Sequence, residues 1–257
     1  MLELRAGSAS AVVDPDGGVL RRLRVDEIDV LTDDGSFVMA PWAGRTGYGT
    51  FTWQGTEHQL PVPDRHAPHA IHGTVRDRPW TVVEVTATST HLATDLGPDW
   101  PWPGRCEQRI ALAPEGIRLE LSVHSDGAAF PAVLGWHPWF TKPLAVRLVA
   151  EAVLERGPDH LPTGARLPPP AVGDRPLDDC FEGVRWPVVV QLPGLGITVG
   201  AEGCAYAVLY DEQPQATCVE PQTGPPNGLA SGDAATVTPD SPLEAVTTWR
   251  WAPTVEA

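Results

Sequence analysis

The sequence predicts an all-β protein built as a large antiparallel sandwich or barrel. Many short segments alternate apolar and polar residues, and turns rich in glycine and proline separate them, which is typical of antiparallel sheets. Proline occurs 28 times in 257 residues, about twice its usual share of roughly 5%. Each proline removes a backbone donor and disrupts a helix interior, and no window shows a long helical periodicity with capping residues. A helix-rich fold is therefore not expected.

Two pairs of segments have the pattern of β-hairpins. Residues 8–13 and 19–25 alternate on either side of a turn whose glycines can adopt positive φ. Residues 109–113 and 117–123 alternate on either side of a Pro-Glu-Gly turn. Further strands are predicted at residues 50–53, 80–86, 146–154, 188–192, 197–200, 206–210, 216–220 and 243–251.

The chain length and its longest irregular segment bear on domain organisation. Residues 161–176 are rich in proline and glycine but too short for a domain boundary, so a long loop is predicted there. Large β-sandwiches reach this chain length as single units. We therefore expect residues 1–257 to form one domain.

The charge balance excludes several partners. The formal net charge is −15, from 33 acidic and 18 basic residues, so the average surface repels phosphate backbones and anionic headgroups. No stretch approaches the roughly 20 apolar residues that span a bilayer, and the first residues lack the pattern of a signal peptide. We expect a cytoplasmic protein that binds neither nucleic acid nor membrane. The four cysteines have no CxxC spacing, so they are predicted to be reduced core residues.

One candidate functional loop carries three histidines, His66, His69 and His72, at intervals of three residues. Such a set could suggest zinc, but Pro68 breaks the helix that would gather the three rings on one face, and no carboxylate ligand stands out nearby. A polar loop with one functional histidine is therefore predicted, without a metal.

A second candidate region places His137 among aromatic residues at the end of an apolar strand. On pattern alone, a hydrogen-bonded core histidine is the simpler interpretation. However, Trp100, Trp102, Trp136 and Trp139 crowd two short segments that contain proline, and aromatic rings commonly pack on the C–H face of a pyranose. Trp102 and Trp136 are predicted to contact a sugar.

A third candidate is Glu220, which is predicted to end a strand and to point into the proline-rich segment that follows. A carboxylate in such a place is usually just solvated. It gains interest beside a histidine, because an acid and a base on opposite sides of a small substrate can move two protons in one event.

Taken together, these segments resemble the aldose 1-epimerase (galactose mutarotase) family, in particular its bacterial branch. The resemblance is distributed over most of the chain, and each motif is weak alone while their order and spacing are specific. The motifs are Pro41-Trp-Ala-Gly-Arg45, residues 49–55 and 59–61, His69-Ala-Ile-His72-Gly73, Gly135-Trp-His137-Pro138, Leu177-Asp178, Val219-Glu220-Pro221 and Pro225-Pro226. The family's fold, a large antiparallel β-sandwich or supersandwich, agrees with the strands predicted above.

The resemblance also implies roles for five residues. Glu220 stands at the family's general base, His137 at its general acid, and His72 at a second histidine that binds and polarises the sugar. Arg45 and Asp178 stand where the family holds sugar hydroxyls, although Asp179 leaves a one-residue choice between the two carboxylates. Gly44 and Gly135 depart from the family, whose better-known members carry asparagine before the arginine and before the acid histidine.

The resulting hypothesis is an isomerase, an aldose 1-epimerase that interconverts the anomers of a free aldohexose such as glucose or galactose. It implies no metal, nucleotide or flavin cofactor, and a monomer or weak homodimer. One alternative is a hexose-6-phosphate mutarotase, in which Arg76 and Arg78 meet the phosphate. Another is a non-catalytic carbohydrate-binding domain. A hydrolase or lyase is disfavoured, because glycosidases usually need two carboxylates and only Glu220 is a strong candidate.

Overall fold

The structure is a computed structural model that describes residues 1–173 and 176–254. The strands in chain order are β1 (Leu2–Ala6), β2 (Ala9–Asp14), β3 (Val19–Val25), β4 (Ile28–Asp29), β5 (Leu31–Met39), β6 (Arg45–Thr46), β7 (Thr50–Trp53), β8 (Thr56–Gln59), β9 (Ala70–Ile71), β10 (Thr81–Val85), β11 (Ser89–Asp95), β12 (Gly104–Ala113), β13 (Gly116–Ser125), β14 (Phe130–Ala132), β15 (Gly135–Thr141), β16 (Ala145–Arg147), β17 (Ala152–Arg156), β18 (Pro162–Leu167), β19 (Asp178–Glu182), β20 (Val188–Leu192), β21 (Leu195–Glu202), β22 (Tyr206–Tyr210), β23 (Ala216–Gln222), β24 (Ala235–Val237) and β25 (Leu243–Pro253). Within the described residues, the helical elements are one short α-helix, α1 (Gly228–Ser231), and three 3-10 turns at Gly47–Gly49, Asp64–His66 and Val75–Asp77.

Two large antiparallel sheets form the body of the protein. The first contains eleven strands in the order β1-β2-β3-β5-β15-β23-β22-β19-β17-β18, with β4 beside β3. The second contains eight strands in the order β10-β11-β12-β13-β25-β21-β20-β16. Three two-stranded ribbons, β14-β24, β6-β9 and β7-β8, complete the architecture. The predicted all-β sandwich fold is confirmed.

The two sheets share one hydrophobic core. Strand β13 shows the sequence rule that builds it, since Ile117, Leu119 and Leu121 are buried while the residues between them are not fully buried. Burying each leucine or isoleucine contributes on the order of 2 kcal/mol. The core side chains of both sheets meet directly, for example where the rings of Phe140 and Trp249 lie 5.0 Å apart.

Strands β15 and β23 lie in the middle of the first sheet, and both are almost completely buried. Because successive side chains of a strand point to opposite faces, Trp136 and Phe140 enter the core while His137 and Trp139 line the opposite face. Both faces of these strands are therefore covered by protein, one by the core and one by the walls of a cavity.

Several predicted elements differ from the structure. The predicted loop at 161–176 contains the edge strand β18, which pairs with β17, because an edge strand tolerates proline and glycine. The single strand predicted at 146–154 is two strands, β16 in the second sheet and β17 in the first. The predicted domain bounds 1–257 include residues 174, 175 and 255–257, which lie outside the described residues, and the single domain stays a prediction.

Two further sequence expectations concern cysteines and membrane spans. All four cysteines are free and buried, as predicted. Among the described residues, no helix has the length and apolar character needed to cross a bilayer.

Candidate active site

A cavity of about 350 Å³ opens on the face of the first sheet that points away from the core. This volume is at the lower end of small-molecule sites, which run from about 300 to 1,000 Å³. Six of the eight residues predicted from the sequence line it: His72, His137, Glu220, Arg45, Asp178 and Arg76. The other side chains that line it include Phe37, Trp139, Arg156, Tyr210, Glu212 and Gln222.

The pairing of the strands explains why distant residues meet in this cavity. On β5 and β15, Phe37 lies opposite His137, and on β22 and β23, Val208 lies opposite Glu220. On β15 and β23, registered pairs on either side, such as Gly135 with Gln222, bring Glu220 beside His137. One row of side chains thus runs across adjacent strands at the floor of the cavity.

His137 and Glu220 form a buried pair. The Nε2 atom of His137 lies 3.1 Å from Oε1 of Glu220, and the two residues are 6% and 2% exposed. The second carboxylate oxygen, Oε2, accepts a hydrogen bond of 3.2 Å from Nε2 of Gln222. The structure contradicts the sequence expectation that Glu220 ends its strand, because β23 continues to Gln222 and the carboxylate lies inside the sheet.

Aromatic rings hold the imidazole of His137 on both faces. Phe37 stacks on one face with ring centroids 4.6 Å apart, and Trp139 stacks on the other at 4.9 Å. The ring of His72 meets the same imidazole edge-on at 5.1 Å. The guanidinium carbon of Arg76 lies 4.1 Å from the centroid of the Phe37 ring, on which it makes a cation–π contact. This packing leaves Nε2 directed at Glu220.

The surroundings favour neutral forms of the ionisable side chains. Burial raises the pKa of Glu220 well above its usual range, and Asp178 raises it further. Burial lowers the pKa of His137 to about 3, with Arg76 adding to the effect. Burial likewise lowers the pKa of His72, and the neighbouring His137 adds to that shift. Both shifts favour the state in which Glu220 carries a proton and His137 is neutral over the state in which both groups are charged.

The backbone at His72 is unusual and sets the direction of its side chain. Its φ is 61°, in the left-handed region that non-glycine residues rarely adopt. Its N–H donates a 3.0 Å hydrogen bond to the carbonyl of Gly44, so the histidine loop is tied to the segment that carries Arg45. Gly73 follows with φ +76°, and an added Cβ there would lie 1.9 Å from the carbonyl oxygen of Ala40.

Two arginines share one carboxylate at another wall. Nη1 of Arg156 donates a hydrogen bond to Oδ2 of Asp178, and Nη1 of Arg45 lies 3.8 Å from the same oxygen. Asp178 lines the cavity, whereas Asp179 does not, because the strand alternates. Of the two carboxylates left open by the sequence, Asp178 is the one that faces the cavity.

Two predicted sugar-contacting residues lie elsewhere. Trp136 is fully buried in the core, on the face of β15 opposite to His137. Trp102 packs against Trp100, Phe51 and Phe130 and does not line the cavity. The structure therefore does not support Trp136 and Trp102 as contacts. Trp139, two residues after His137, occupies the position that strand alternation assigns to the cavity.

The three histidines of the loop have different surroundings. Nδ1 of His69 accepts a hydrogen bond from the N–H of Tyr48, and Nε2 donates to the carbonyl of Asp159, so this residue ties two loops together. His66 and His72 line the cavity, whereas His69 does not. Among the described residues, the group that could hold a metal is a different one: His137, Cys218 and Glu220, whose ligand atoms lie within 4.8 Å of one another.

Sequence reasoning missed several lining residues. Gln222 and Trp139 lie two residues after Glu220 and His137, respectively. Because residues i and i+2 of a strand share one face, alternation predicts that they face the same cavity. Phe37 and Arg156 come from other strands, and no local pattern marks them. Their position depends on strand register, which is a long-range property.

Comparisons with known proteins identify relatives by sequence and by fold. The family model described as aldose 1-epimerase matches residues 1–244. The protein YihR of Escherichia coli K12 is 33% identical over 108 residues, which cover 40% of this chain and 35% of YihR. A second relative from the same organism, YphB, is 29% identical over 159 residues, or 58% of this chain and 54% of YphB. The matches thus span about a third to a half of these curated relatives.

Two solved structures illustrate the likeness in fold. The crystal structure of the Escherichia coli K12 protein b2544 superimposes with a TM-score of 0.90 at 21% identity. The match covers 98% of this chain and 99% of that chain. The galactose 1-epimerase from Lactobacillus acidophilus NCFM has a TM-score of 0.82 at 17% identity, with coverages of 98% and 93%. At these identities the comparisons establish the fold alone.

Proposed function

The chain belongs to the aldose 1-epimerase family, and we propose that it is an isomerase that interconverts the α and β anomers of a free aldohexose such as glucose or galactose. The observation that carries the proposal is the buried pair of His137 and Glu220, 3.1 Å apart at the floor of a cavity of monosaccharide scale. An acid and a base so placed can exchange one proton each with a bound sugar.

The reaction requires two proton transfers. A cyclic aldose is a hemiacetal, so ring opening removes the proton of the C1 hydroxyl, adds a proton to the ring oxygen O5 and breaks the C1–O5 bond. Glu220 accepts the proton from O1 while His137, protonated, donates from Nε2 to O5. The open aldehyde then rotates about C1–C2 and recloses with the roles reversed.

A single proton shared by the pair fits this cycle. After ring opening, Glu220 is protonated and His137 is neutral, which is the distribution that the pKa shifts of the two groups favour. With a cyclic sugar bound, the reactive form needs the proton on His137, and its transfer from Glu220 across the 3.1 Å contact leaves the carboxylate ready to accept from O1. No net charge enters or leaves the buried pair, so neither step incurs the cost of an uncompensated charge.

The other lining residues hold the sugar. His72, Arg45 and Asp178 supply donors and acceptors for hydroxyl groups, and Arg156 holds the Asp178 carboxylate. Trp139, which also contacts Tyr210 with ring centroids 5.9 Å apart, offers an apolar wall to the C–H face of the pyranose.

Substituting the proposed base tests the mechanism. Glu220→Gln keeps the shape and removes the base, and each positioned acid or base typically contributes about 10² to 10⁴-fold in rate. We expect polarimetry with fresh α-D-glucose or α-D-galactose to show a loss of that size. Glu57→Gln, on β8 and outside the cavity lining, is the matched control and should stay close to the unsubstituted protein. Unchanged activity in Glu220→Gln would remove this residue from the mechanism.

The position of Arg76 favours a second candidate function, in which the substrate is a hexose phosphate. Its guanidinium lines the cavity, and its nearest carboxylate, that of Asp77, is 3.9 Å away. Arg78 is a poorer candidate for the phosphate, because it pairs with Asp95 at 2.6 Å and does not line the cavity.

A side-by-side assay separates these substrates. If a phosphate binds at Arg76, kcat/KM for glucose 6-phosphate exceeds that for glucose, and Arg76→Met reverses the order. Equal loss for both sugars in Arg76→Met would argue for the free sugar. Tight sugar binding without faster anomer exchange would instead favour a carbohydrate-binding domain.

A further inference from the structure

Gln222 is a buried polar residue that the mechanism above does not use. It is 0% exposed, lines the cavity, and lies on the same face of β23 as Glu220. Its Nε2 donates to Oε2 of Glu220 at 3.2 Å. Its Oε1 is buried without a hydrogen-bond partner among the described residues. Buried polar atoms are nearly always hydrogen-bonded, so an orphan acceptor in a cavity wall points to a ligand that donates to it.

The opposite strand leaves room for this side chain. Gly135 is the registered partner of Gln222 on β15. A Cβ added at Gly135 would lie 3.0 Å from Cγ of Gln222 and 2.9 Å from the carbonyl oxygen of Pro221. The glycine therefore lets the amide of Gln222 lie along the sheet toward Glu220.

The amide nitrogen and the amide oxygen of Gln222 have different partners. Because Nε2 holds Oε2 of Glu220, the other carboxylate oxygen, Oε1, is the one that faces His137 and exchanges protons. In a sugar whose C1 hydroxyl donates to Glu220, the C2 hydroxyl stands on the adjoining carbon, and Gln222 is the polar side chain hydrogen-bonded to that carboxylate. The C2 hydroxyl is a donor of the kind that Oε1 of Gln222 lacks.

We propose that Gln222 is a positioning residue for Glu220 and, through its Oε1, the binding residue for the C2 hydroxyl of the sugar. This inference rests on the proposed function. It defines the substrate class further, as aldoses that carry a free hydroxyl on C2. Discrimination against 2-deoxy sugars then comes from one amide, because a 2-deoxy sugar leaves Oε1 buried and unpaired.

The first test compares glucose with 2-deoxyglucose by anomer-exchange NMR. One neutral hydrogen bond is worth roughly a three- to tenfold preference in kcat/KM for glucose. Gln222→Met keeps the length of the side chain and removes both polar ends, so this preference should fall to about one. Thr217→Val, on the same strand but outside the cavity lining, is the control and should keep the preference. The same preference in Gln222→Met as in the unsubstituted protein would overturn the role in binding C2.

The second test concerns the positioning of Glu220. The amide hydrogen bond lowers the pKa of Glu220 against the effect of burial. Gln222→Met should move the limb of the pH–rate profile that reports Glu220 to higher pH, a change that a purely structural defect would not produce. Gly135→Ala, which displaces Gln222 without altering a polar group, should show the same shift. Identical profiles in all three proteins would overturn the positioning role.

A readout without turnover separates this inference from the proposed function. Titration of the Glu220 carboxyl by carbon NMR, without sugar, should give a higher pKa in Gln222→Met whether or not anomers are exchanged. If the unsubstituted protein accelerates no aldose, the proposed function fails, and the carboxyl titration still decides the contact with Gln222. An unchanged titration would refute that contact.

Discussion

Burial of His137 as a neutral imidazole makes the stability of the protein depend on pH. Its pKa falls to about 3 because burial and, second, Arg76 disfavour the charged form, whereas an unfolded histidine titrates near 6.5. Between about pH 3 and pH 6.5, therefore, this histidine binds a proton in the unfolded chain but not in the native protein. As far as His137 is concerned, the free energy of unfolding is highest above about pH 6.5 and decreases as the pH falls from there toward about 3.

The size of the effect follows from the width of the window. Each pH unit in which only the unfolded state binds the proton corresponds to about 1.4 kcal/mol. Between pH 7.5 and 5.5 the unfolded histidine becomes about nine-tenths protonated, which lowers the free energy of unfolding by roughly 1 to 2 kcal/mol. Over the whole window the loss reaches roughly 5 kcal/mol.

The measurement requires a protein in which Glu220 cannot titrate, because the raised pKa of Glu220 makes stability depend on pH in the opposite direction. Its stabilisation is present below the usual carboxyl range and is lost as the pH rises through its folded pKa. We therefore compare Glu220→Gln with the double variant Glu220→Gln, His137→Gln. Urea denaturation followed by tryptophan fluorescence at pH 7.5 and 5.5 should show an extra loss of roughly 1 to 2 kcal/mol only where His137 is present. Equal pH dependence in both proteins would refute the argument, and no difference between them is expected from pH 7.5 to 9.

Three further predictions concern binding and backbone geometry. Trp139→Ala should raise KM about fivefold in steady-state assays by removing an aromatic contact worth roughly 1 kcal/mol. Trp102→Ala should instead lower the midpoint of thermal unfolding and leave KM unchanged, and the opposite pattern would contradict the assignment of the cavity wall. Gly73→Ala should lower the free energy of unfolding in urea by more than about 3 kcal/mol, because the added Cβ would lie 1.9 Å from the carbonyl oxygen of Ala40. Gly55→Ala, with φ +81° but nothing within 4 Å, should cost only about 1 to 2 kcal/mol. Asp178→Asn should raise KM about tenfold by removing the carboxylate of a charge-assisted hydrogen bond, with kcat nearly unchanged, and a loss in kcat alone would place the residue in the chemical step.

The sequence predicted the fold class well because strand alternation and turn composition are local properties. The hairpin of β12 and β13 is an example, since its buried positions can be read from the alternation of residues 109–123. Strands at the edge of a sheet are harder to predict from the sequence. Strand β18 contains a proline and a glycine and lacks the half-buried pattern of an inner strand, so a loop is predicted there. Strand β10 is exposed at all five positions, yet a strand is predicted at residues 80–86.

The candidate site was predictable to a different extent. The residues implied by the family motifs, such as His72, Arg45 and Asp178, all line the cavity. Aromatic content does not distinguish the two faces of a strand, so it does not predict that Trp136 lies in the core while Trp139 lines the cavity. Arg156 pairs with Asp178 across two strands, a contact that depends on register between segments about twenty residues apart.

The proposed acid and base sit on β15 and β23, adjacent strands at the centre of the first sheet. Their separation is therefore set by the pairing of these strands, which is registered on either side of them, Gly135 with Gln222 and Trp139 with Cys218, with no mobile loop or hinge between them. Warming cannot pull the two groups apart without melting the middle of the sheet, which also carries the core. Thermal inactivation should accordingly coincide with cooperative unfolding of the whole protein, and the pair should keep its working geometry up to that temperature.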